Sequence, residues 1–158
     1  MQLDGADIRI LCAILAHGEL TKSKLAELVG LSPTPCWARF QRMRKAGLIT
    51  GFHGEIALSK IVNFSKVIVT ISLHSHRKQD FTRFEAYVDK CPEIIDCVAT
   101  GGGMDYVLTI LSPNLQSFQA LIETMLEADL AIDRYMTYIV TRQIKASKPD
   151  LARLMAQK

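Results

Sequence analysis

The chain has 158 residues, of which 49% are hydrophobic and 22% charged, and its net charge is +3. These values are typical of a folded protein made of one ordinary domain or of two small ones. No apolar run approaches the ~20 residues that a membrane-spanning helix needs, and the N-terminal MQLDGADIRIL lacks the basic start of a secretory signal. We therefore expect a cytoplasmic protein without a membrane partner.

The positive charge is concentrated in the first part of the chain. Residues 1–60 hold eight Lys and Arg against five Asp and Glu, whereas residues 61–158 hold eleven of each kind. Four of the eight basic residues fall within residues 39–45, in the stretch LSPTPCWARFQRMRKAG, which contains no acid. Such a cluster indicates contact with a polyanion, although many basic helix faces are simply solvated.

Three short helices are predicted before residue 47. Apolar residues recur at helical spacing in DIRILCAIL, so a first helix is expected to end near His17. Thr21 begins and Gly30 ends a second helix in TKSKLAELVG. In the third, Ser32 serves as N-cap and Pro33 takes the first helical position, where its missing N–H has no cost. The short glycine-containing turn between the last two helices is typical of a helix-turn-helix.

The third helix is predicted to bury one face and to present a basic one. At 100° per residue, Cys36, Phe40 and Met43 fall on one side, which we expect to face the core. The opposite side lacks the acids that an ordinary solvated helix uses for i,i+4 pairs. We therefore favour a recognition helix that enters the major groove of double-stranded DNA over a solvated face with no ligand.

The candidate DNA contacts combine short, polar and basic side chains. They are Ser32, Thr34, Trp37, Ala38, Arg39, Gln41, Arg42 and Lys45. Arg39 and Arg44 lie on the flanks of the helix, where they would reach backbone phosphate. For Trp37, packing against the second helix is an equal alternative to a contact outside the domain.

The rest of the chain has a different pattern of apolar residues. Strands are predicted at about 65–74, 94–101, 105–112 and 132–146, and helices at 79–91 and 115–129. The order βαββαβ indicates a ferredoxin-like module, an antiparallel four-stranded sheet with two helices on one face. We predict an α+β protein with a winged-helix-like helix-turn-helix domain at 1–60 and a ferredoxin-like effector-binding and oligomerisation domain at 61–158. A short strand or hairpin in LITGFHGEIAL and a linker in ALSKIVN would connect them.

Neither the cysteines nor the histidines predict a cofactor or metal centre. Cys12, Cys36, Cys91 and Cys97 are spread among apolar neighbours without a C-x-x-C pair, which suits reduced thiols in a core. His74 and His76 would share one face of a strand and could chelate a metal weakly. A solvated strand end explains this histidine pair better.

Ordered motifs run along almost the whole chain. They are Leu3-Asp4 with Asp7 and Ile10-Leu11, LAELVGLSPTPCWARFQRMRKAGLITGF, Cys91-Pro92-Glu93, Thr100-Gly101 with Asp105-Tyr106, and TYIVTRQIK. Together they resemble the Lrp/AsnC (feast/famine) family of bacterial and archaeal transcription regulators, and LSPTPC is especially close to the leucine-responsive members. The resemblance implies dimers, often tetramers or octamers, that bind operator DNA and respond to small molecules, usually amino acids.

The glycine-rich turn of the second module is the predicted effector site, in a cleft between neighbouring subunits. Consecutive glycines let backbone N–H groups converge on an α-carboxylate, and the Asp105 side chain could take the ammonium. Thr137, which matches a hydroxyl residue in relatives, is a weaker candidate. The candidate effector contacts are Thr100, Gly101, Gly102, Gly103, Asp105 and Thr137. The turn is one residue longer than the T-G-x-x-D-Y that is common in the family.

Two other classes of function compete with an effector-responsive regulator. The GGG run is neither G-x-G-x-x-G nor a P-loop, and no nucleophile with an adjacent base is found, so we expect no enzyme. The second alternative is a DNA-binding assembly protein of the same family without a small-molecule response. In that case Gly101 to Gly103 would serve only as a tight turn.

Overall fold

A computed structural model of the protein describes residues 2–156. In chain order the elements are α1 (Gly5–His17), α2 (Lys22–Val29), α3 (Pro33–Lys45), a 3₁₀ turn (Leu58–Lys60), β1 (Ser65–Leu73), α4 (Lys78–Asp89), β2 (Ile94–Ala99), β3 (Tyr106–Ser112), α5 (Leu115–Glu127), β4 (Ile132–Ile139) and α6 (Leu151–Met155). Within this described part, no helix has the length and apolar character needed to cross a membrane.

The described chain forms two compact units. One contains residues 2–56 together with 145–156, and the other is Ala57–Ile144. The domain prediction of 61–158 places the C-terminal residues 145–156 in the second domain. In the structure they lie with the first unit, because Leu151 and Met155 of α6 line a groove on α1 beside Leu11 and Leu15.

The helix ends in the first unit are built largely as predicted. The Thr21 side chain accepts the N–H of Lys24 at the start of α2, and Gly30 ends that helix in the left-handed conformation with φ 68°. Ser32 is the N-cap of α3, but its side chain makes no capping bond; its carbonyl accepts the N–H of Cys36 instead. The core between the three helices contains the following buried side chains: Ile10, Leu25, Ala26, Val29, Cys36, Phe40 and Met43.

Two predicted stretches of strand are absent from the described residues. LITGFHGEIAL forms no strand or hairpin, because Ile49 and Phe52 pack instead against the helical core. The last strand ends at Ile139 instead of residue 146. Its neighbour β1 begins at Ser65. The Val140 N–H still donates to the Lys66 carbonyl, but the residues after Val140 have almost no β1 residues left to pair with.

The second unit has the predicted ferredoxin-like topology. Its sheet has the order β2-β3-β1-β4, and each neighbouring pair is antiparallel. Inward-facing residues of β1 and β3 alternate with outward-facing ones and pack against α4 and α5. The centre of this core contains Val69, Ile71, Phe84, Leu108 and Met125, each with 1% or less of its surface exposed. The helices therefore cover one face of the sheet only.

Candidate DNA-binding and effector sites

The α3 helix buries the face predicted from its periodicity. Cys36, Phe40 and Met43 are buried in the helical core. The candidate DNA contacts that are exposed are Ser32, Thr34, Ala38, Gln41, Arg42 and Lys45, and Arg44 is exposed beside them. A short, polar and basic arc therefore faces away from the core, as a helix entering the major groove requires.

Two of the α3 arginines are bound by acids at the start of α1. Arg39 Nη1 lies 2.6 Å from Asp4 Oδ2 and 3.0 Å from Asp7 Oδ1, and Arg42 Nη2 lies 2.7 Å from Asp7 Oδ2. The Asp7 side chain is only 1% exposed. Helical periodicity describes α3 alone, so the sequence predicts both arginines as DNA contacts and does not reveal ion pairs with residues more than 30 positions away.

The remaining two cations of α3 stay available. Within residues 2–156, neither Arg44 nor Lys45 forms an ion pair. Both are in the last turn of the helix, where positive charge also interacts favourably with the helix dipole. The free positive charge of α3 is therefore concentrated at its C-terminal end.

Asp4 also forms the N-cap of α1. Its side chain accepts the N–H groups of Ala6 and Asp7, and Asp7 reciprocates by accepting the Asp4 N–H, which completes a capping box. The backbone N–H of Asp7 and then the Arg39 guanidinium lower the pKa of Asp4 below its usual value. Hydrogen bonds to Asp4 and then to Asp7 raise the pKa of Arg39. The pair therefore stays fully charged at neutral pH.

Trp37 belongs to the edge of the helical core. Its ring stacks on Phe40 with centroids 4.6 Å apart, and the residue is half-buried. Trp37 also packs against the buried cluster that includes Leu25 and Val29 of the second helix, in agreement with the packing alternative predicted from the sequence. Only part of the indole remains open to a DNA sugar or another partner.

The glycine-rich turn closes on itself between β2 and β3. Thr100 Oγ1 donates to the Met104 carbonyl at 2.6 Å, and the Thr100 N–H donates to the Asp105 carbonyl at 2.8 Å. Gly102 has a φ of +126°, a backbone angle that residues with a side chain rarely adopt. A Cβ built on Gly101 or Gly103 would meet no atom within 4 Å. The space next to the turn is therefore open to a ligand.

Asp105 joins this turn to the end of β1. Its Oδ2 accepts the Leu73 N–H at 2.8 Å, its Oδ1 lies 3.1 Å from His76 Nε2, and its own N–H donates to the Ile71 carbonyl. The side chain is 19% exposed. Sequence reasoning offered this carboxylate to an effector ammonium and missed His76, since the two residues are 29 positions apart. Both oxygens already have partners in the structure.

Thr137 lies away from the turn. It pairs with Val69 on the β4 side of β1, whereas Asp105 bonds to Ile71 from the β3 side. Thr137 and Asp105 therefore lie on opposite sides of β1, about two strand spacings or 10 Å apart across the sheet. Thr137 instead lines a groove of about 460 Å³ between α5 and β4, with Phe118 and Ile122 among its neighbours. The structure thus does not bring Thr137 together with the other candidate effector residues of the same chain.

The histidines and cysteines have ordinary structural surroundings. β1 ends at Leu73, so His74 and His76 follow the strand instead of sharing its face. His74 Nδ1 lies 2.9 Å from the Ala131 carbonyl. Across residues 2–156 there is no group of three His, Cys, Asp or Glu that could hold a metal ion. The four cysteines are free, and burial is the largest cause that raises the pKa of Cys36 and Cys97.

A helix-turn-helix with an exposed basic helix, followed by a ferredoxin-like module with an open glycine turn, defines the class of two-unit DNA-binding regulators. Residues 3–50 match the family model for winged helix-turn-helix DNA-binding domains, and residues 66–150 match that for the Lrp/AsnC ligand binding domain. The chain is 43% identical over 152 residues to the transcriptional regulatory protein DoeX of Halomonas elongata, covering 96% of each chain.

Two further relatives agree with these matches. The leucine-responsive regulatory protein of Escherichia coli is 31% identical over 146 residues, covering 92% of this chain and 88% of that one. The crystal structure of a transcriptional regulator from Neisseria meningitidis in complex with L-Met superposes with a TM-score of 0.87 at 27% identity, covering 97% of this chain and 99% of that one. The chain belongs to the Lrp/AsnC family, and it is a DNA-binding transcriptional regulator with a ligand-binding domain.

The contacts of Asp105 predict a stability difference between two substitutions. Asp105→Ala removes the acceptor of the Leu73 N–H and should lower the free energy of unfolding by about 1–3 kcal/mol. Asp105→Asn keeps one acceptor oxygen and should cost clearly less. Urea unfolding followed by circular dichroism measures both, and equal losses for the two variants would show that the Leu73 bond contributes nothing.

Proposed function

We propose that this regulator reads operator DNA with α3 and responds to a small amino acid bound next to the turn at 100–105. The observation that carries the proposal is the exposed arc of α3, which has no acid and ends in two cations without ion pairs in the described chain. The buried face of the same helix fixes that arc outward.

The side chains along α3 suit contacts with DNA bases at some positions and contacts with DNA phosphates at others. Thr34, Ala38 and Gln41 are short or polar and can approach base edges in the major groove. Arg44 and Lys45 are long cations at the end of the helix and can reach phosphate. Arg39 and Arg42, which are held by α1, contribute to phosphate binding only as far as their carboxylate partners release them.

An amino-acid effector fits the chemistry of the glycine turn. The Neisseria meningitidis relative of known structure is a complex with L-Met, which supports an amino acid for this chain as well. Gly101 and Gly103 leave open space for an α-carboxylate. Arg134 Nη2 lies 3.4 Å from the Gly103 carbonyl, so its guanidinium is close enough to pair with that carboxylate. The ammonium would compete with His76 for Asp105 Oδ1. Thr137 would join such a site only from a neighbouring subunit.

One observation favours the second candidate, a DNA-binding assembly protein without a small-molecule response. The Asp105 carboxylate is already satisfied by the Leu73 N–H and by His76, so the turn is complete without a ligand. Under this reading the glycines only allow the tight turn.

Self-association through the uncovered face of the sheet is the third part of the proposal. Met136 and Tyr138 are 46% and 49% exposed there, and the Thr70 and Ser72 hydroxyls on β1 are buried without a hydrogen-bond partner in the described chain. One recognition helix reads only a few base pairs, so specific binding needs at least two copies about 34–36 Å apart on DNA. A dimer, or a tetramer or octamer built from it, would supply them.

The DNA-binding part predicts weaker and less salt-dependent binding for substitutions at the end of α3. Arg44→Ala and Lys45→Ala should each lower affinity for a mixed-sequence duplex and reduce the log–log salt slope by about 0.9, because each removes one phosphate contact. Fluorescence anisotropy at several salt concentrations measures both quantities. Lys78→Ala, an exposed cation of the other unit, is the control and should leave the slope unchanged. Unaltered binding by both α3 variants would refute the placement of this helix.

The effector part predicts that one or more of the twenty amino acids stabilises the protein. A ligand at 100 times its dissociation constant adds about 2.7 kcal/mol, which a thermal-shift screen detects. Gly101→Val and Gly103→Val should abolish the shift, since their new side chains fill the open space without clashing with the protein. Gly54→Val, which also meets no atom within 4 Å, is the matched control and should keep it. No shift in the wild type would leave the assembly protein as the function.

The assembly part predicts a change in mass after substitution on the open sheet face. The wild type should be at least a dimer by light scattering at micromolar concentration. Tyr138→Lys should lower the measured mass, because it places a charge on the proposed interface. Leu154→Lys, at an exposed leucine of the first unit, is the control and should not. A monomeric wild type would rule out this part of the proposal.

A further inference from the structure

The two acids that hold Arg39 differ in their exposure. The Asp4 side chain is 55% exposed and that of Asp7 is 1% exposed, while Arg39 between them is 32% exposed. One guanidinium nitrogen, Nη1, contacts both carboxylates, at 2.6 Å and 3.0 Å. One partner of Arg39 is thus accessible to solvent and the other is not.

Asp7 is fixed by its surroundings. Its oxygens accept from Arg39, from Arg42 and from the backbone N–H of Asp4. Because a buried carboxylate without partners is strongly unfavourable, these bonds persist in any state in which the unit is folded. Asp7 therefore orients Arg39 whether or not DNA is bound.

Asp4 can release Arg39 without losing its role in α1. Its Oδ1 accepts the N–H groups of Ala6 and Asp7 at 2.9 Å, and only Oδ2 contacts the guanidinium. An exposed ion pair has little net strength, since both groups are well solvated when apart. A phosphate oxygen offers Arg39 the same kind of charge-assisted hydrogen bond as the carboxylate.

We propose that Asp4 competes with a DNA phosphate for Arg39 and is displaced from it when α3 binds the duplex. The proposal rests on the proposed contact of α3 with DNA. Arg39 then neutralises one phosphate, but Asp4 is left without a cation next to the DNA, so the net negative charge at this place is unchanged by the exchange. Asp4 accordingly lowers the affinity for DNA and keeps Arg39 from adding to the salt dependence.

The test is Asp4→Asn, measured with a mixed-sequence duplex between 50 and 200 mM salt. Asparagine is as good an N-cap as aspartate and keeps the oxygen that accepts from Ala6 and Asp7. The salt slope should become steeper by about 0.9. The ratio of the affinity at 50 mM salt to that at 200 mM should therefore grow by about 3.5-fold. Binding at 50 mM salt should be tighter than that of the wild type. Asp4→Ser, also a good N-cap, should behave in the same way.

Two controls separate local competition from the removal of a charge. Glu19→Gln makes the same change of charge in the same unit. Glu19 is exposed and forms no ion pair within residues 2–156, so the salt slope of this variant should match that of the wild type. In the double variant Asp4→Asn/Arg39→Gln the gain should disappear. Urea unfolding confirms that each variant is folded.

Several results would overturn the proposal. If Asp4→Asn binds DNA as the wild type does, Asp4 serves only as the cap of α1. If it binds more weakly, Asp4 positions Arg39 for DNA and does not compete with it. An equal gain for Glu19→Gln would mean a long-range charge effect. Lys45→Ala distinguishes the failures: if it weakens binding while Asp4→Asn changes nothing, only the competition is refuted. If neither variant differs from the wild type, the assignment of α3 to DNA is refuted as well.

Discussion

The buried carboxylate of Asp7 is the interaction on which the DNA-binding unit depends. It receives two arginines of α3 and the capping N–H of Asp4, so a single side chain ties the start of α1 to the middle of α3. A buried charge is tolerated only with such a complete set of partners. The orientation of α3, and therefore of its exposed arc, is consequently set both by apolar packing of Cys36 and Met43 and by an ionic contact at the flank of the helix.

This contact changes how the charge of α3 is understood. Four cations without an acid among them suggest four equivalent contacts with phosphate. The structure divides them into two that have carboxylate partners and two, Arg44 and Lys45, that have none in the described chain. Under the proposed contact with DNA, attraction of phosphate would depend mainly on Arg44 and Lys45 at the end of α3.

The ligand-binding unit uses an acid in a comparable way. Asp105 connects the glycine turn to the end of β1 through the Leu73 N–H and to the following segment through His76. A ligand that takes this carboxylate must break an existing contact. Under the proposed function, binding at Asp105 would therefore be linked to the local structure at the end of β1.

The sequence by itself determined α1 to α5, the four strands of the sheet, the buried face of α3 and the ferredoxin-like order, because helical and strand periodicity and caps such as Thr21 and Gly30 are local properties. Order and spacing of motifs also sufficed for the family. Tertiary structure alone decided which charges are free, where Thr137 lies and that residues 145–156 pack with the first unit. Those outcomes depend on ion pairs, strand register and packing between residues distant in the chain, which no local pattern encodes.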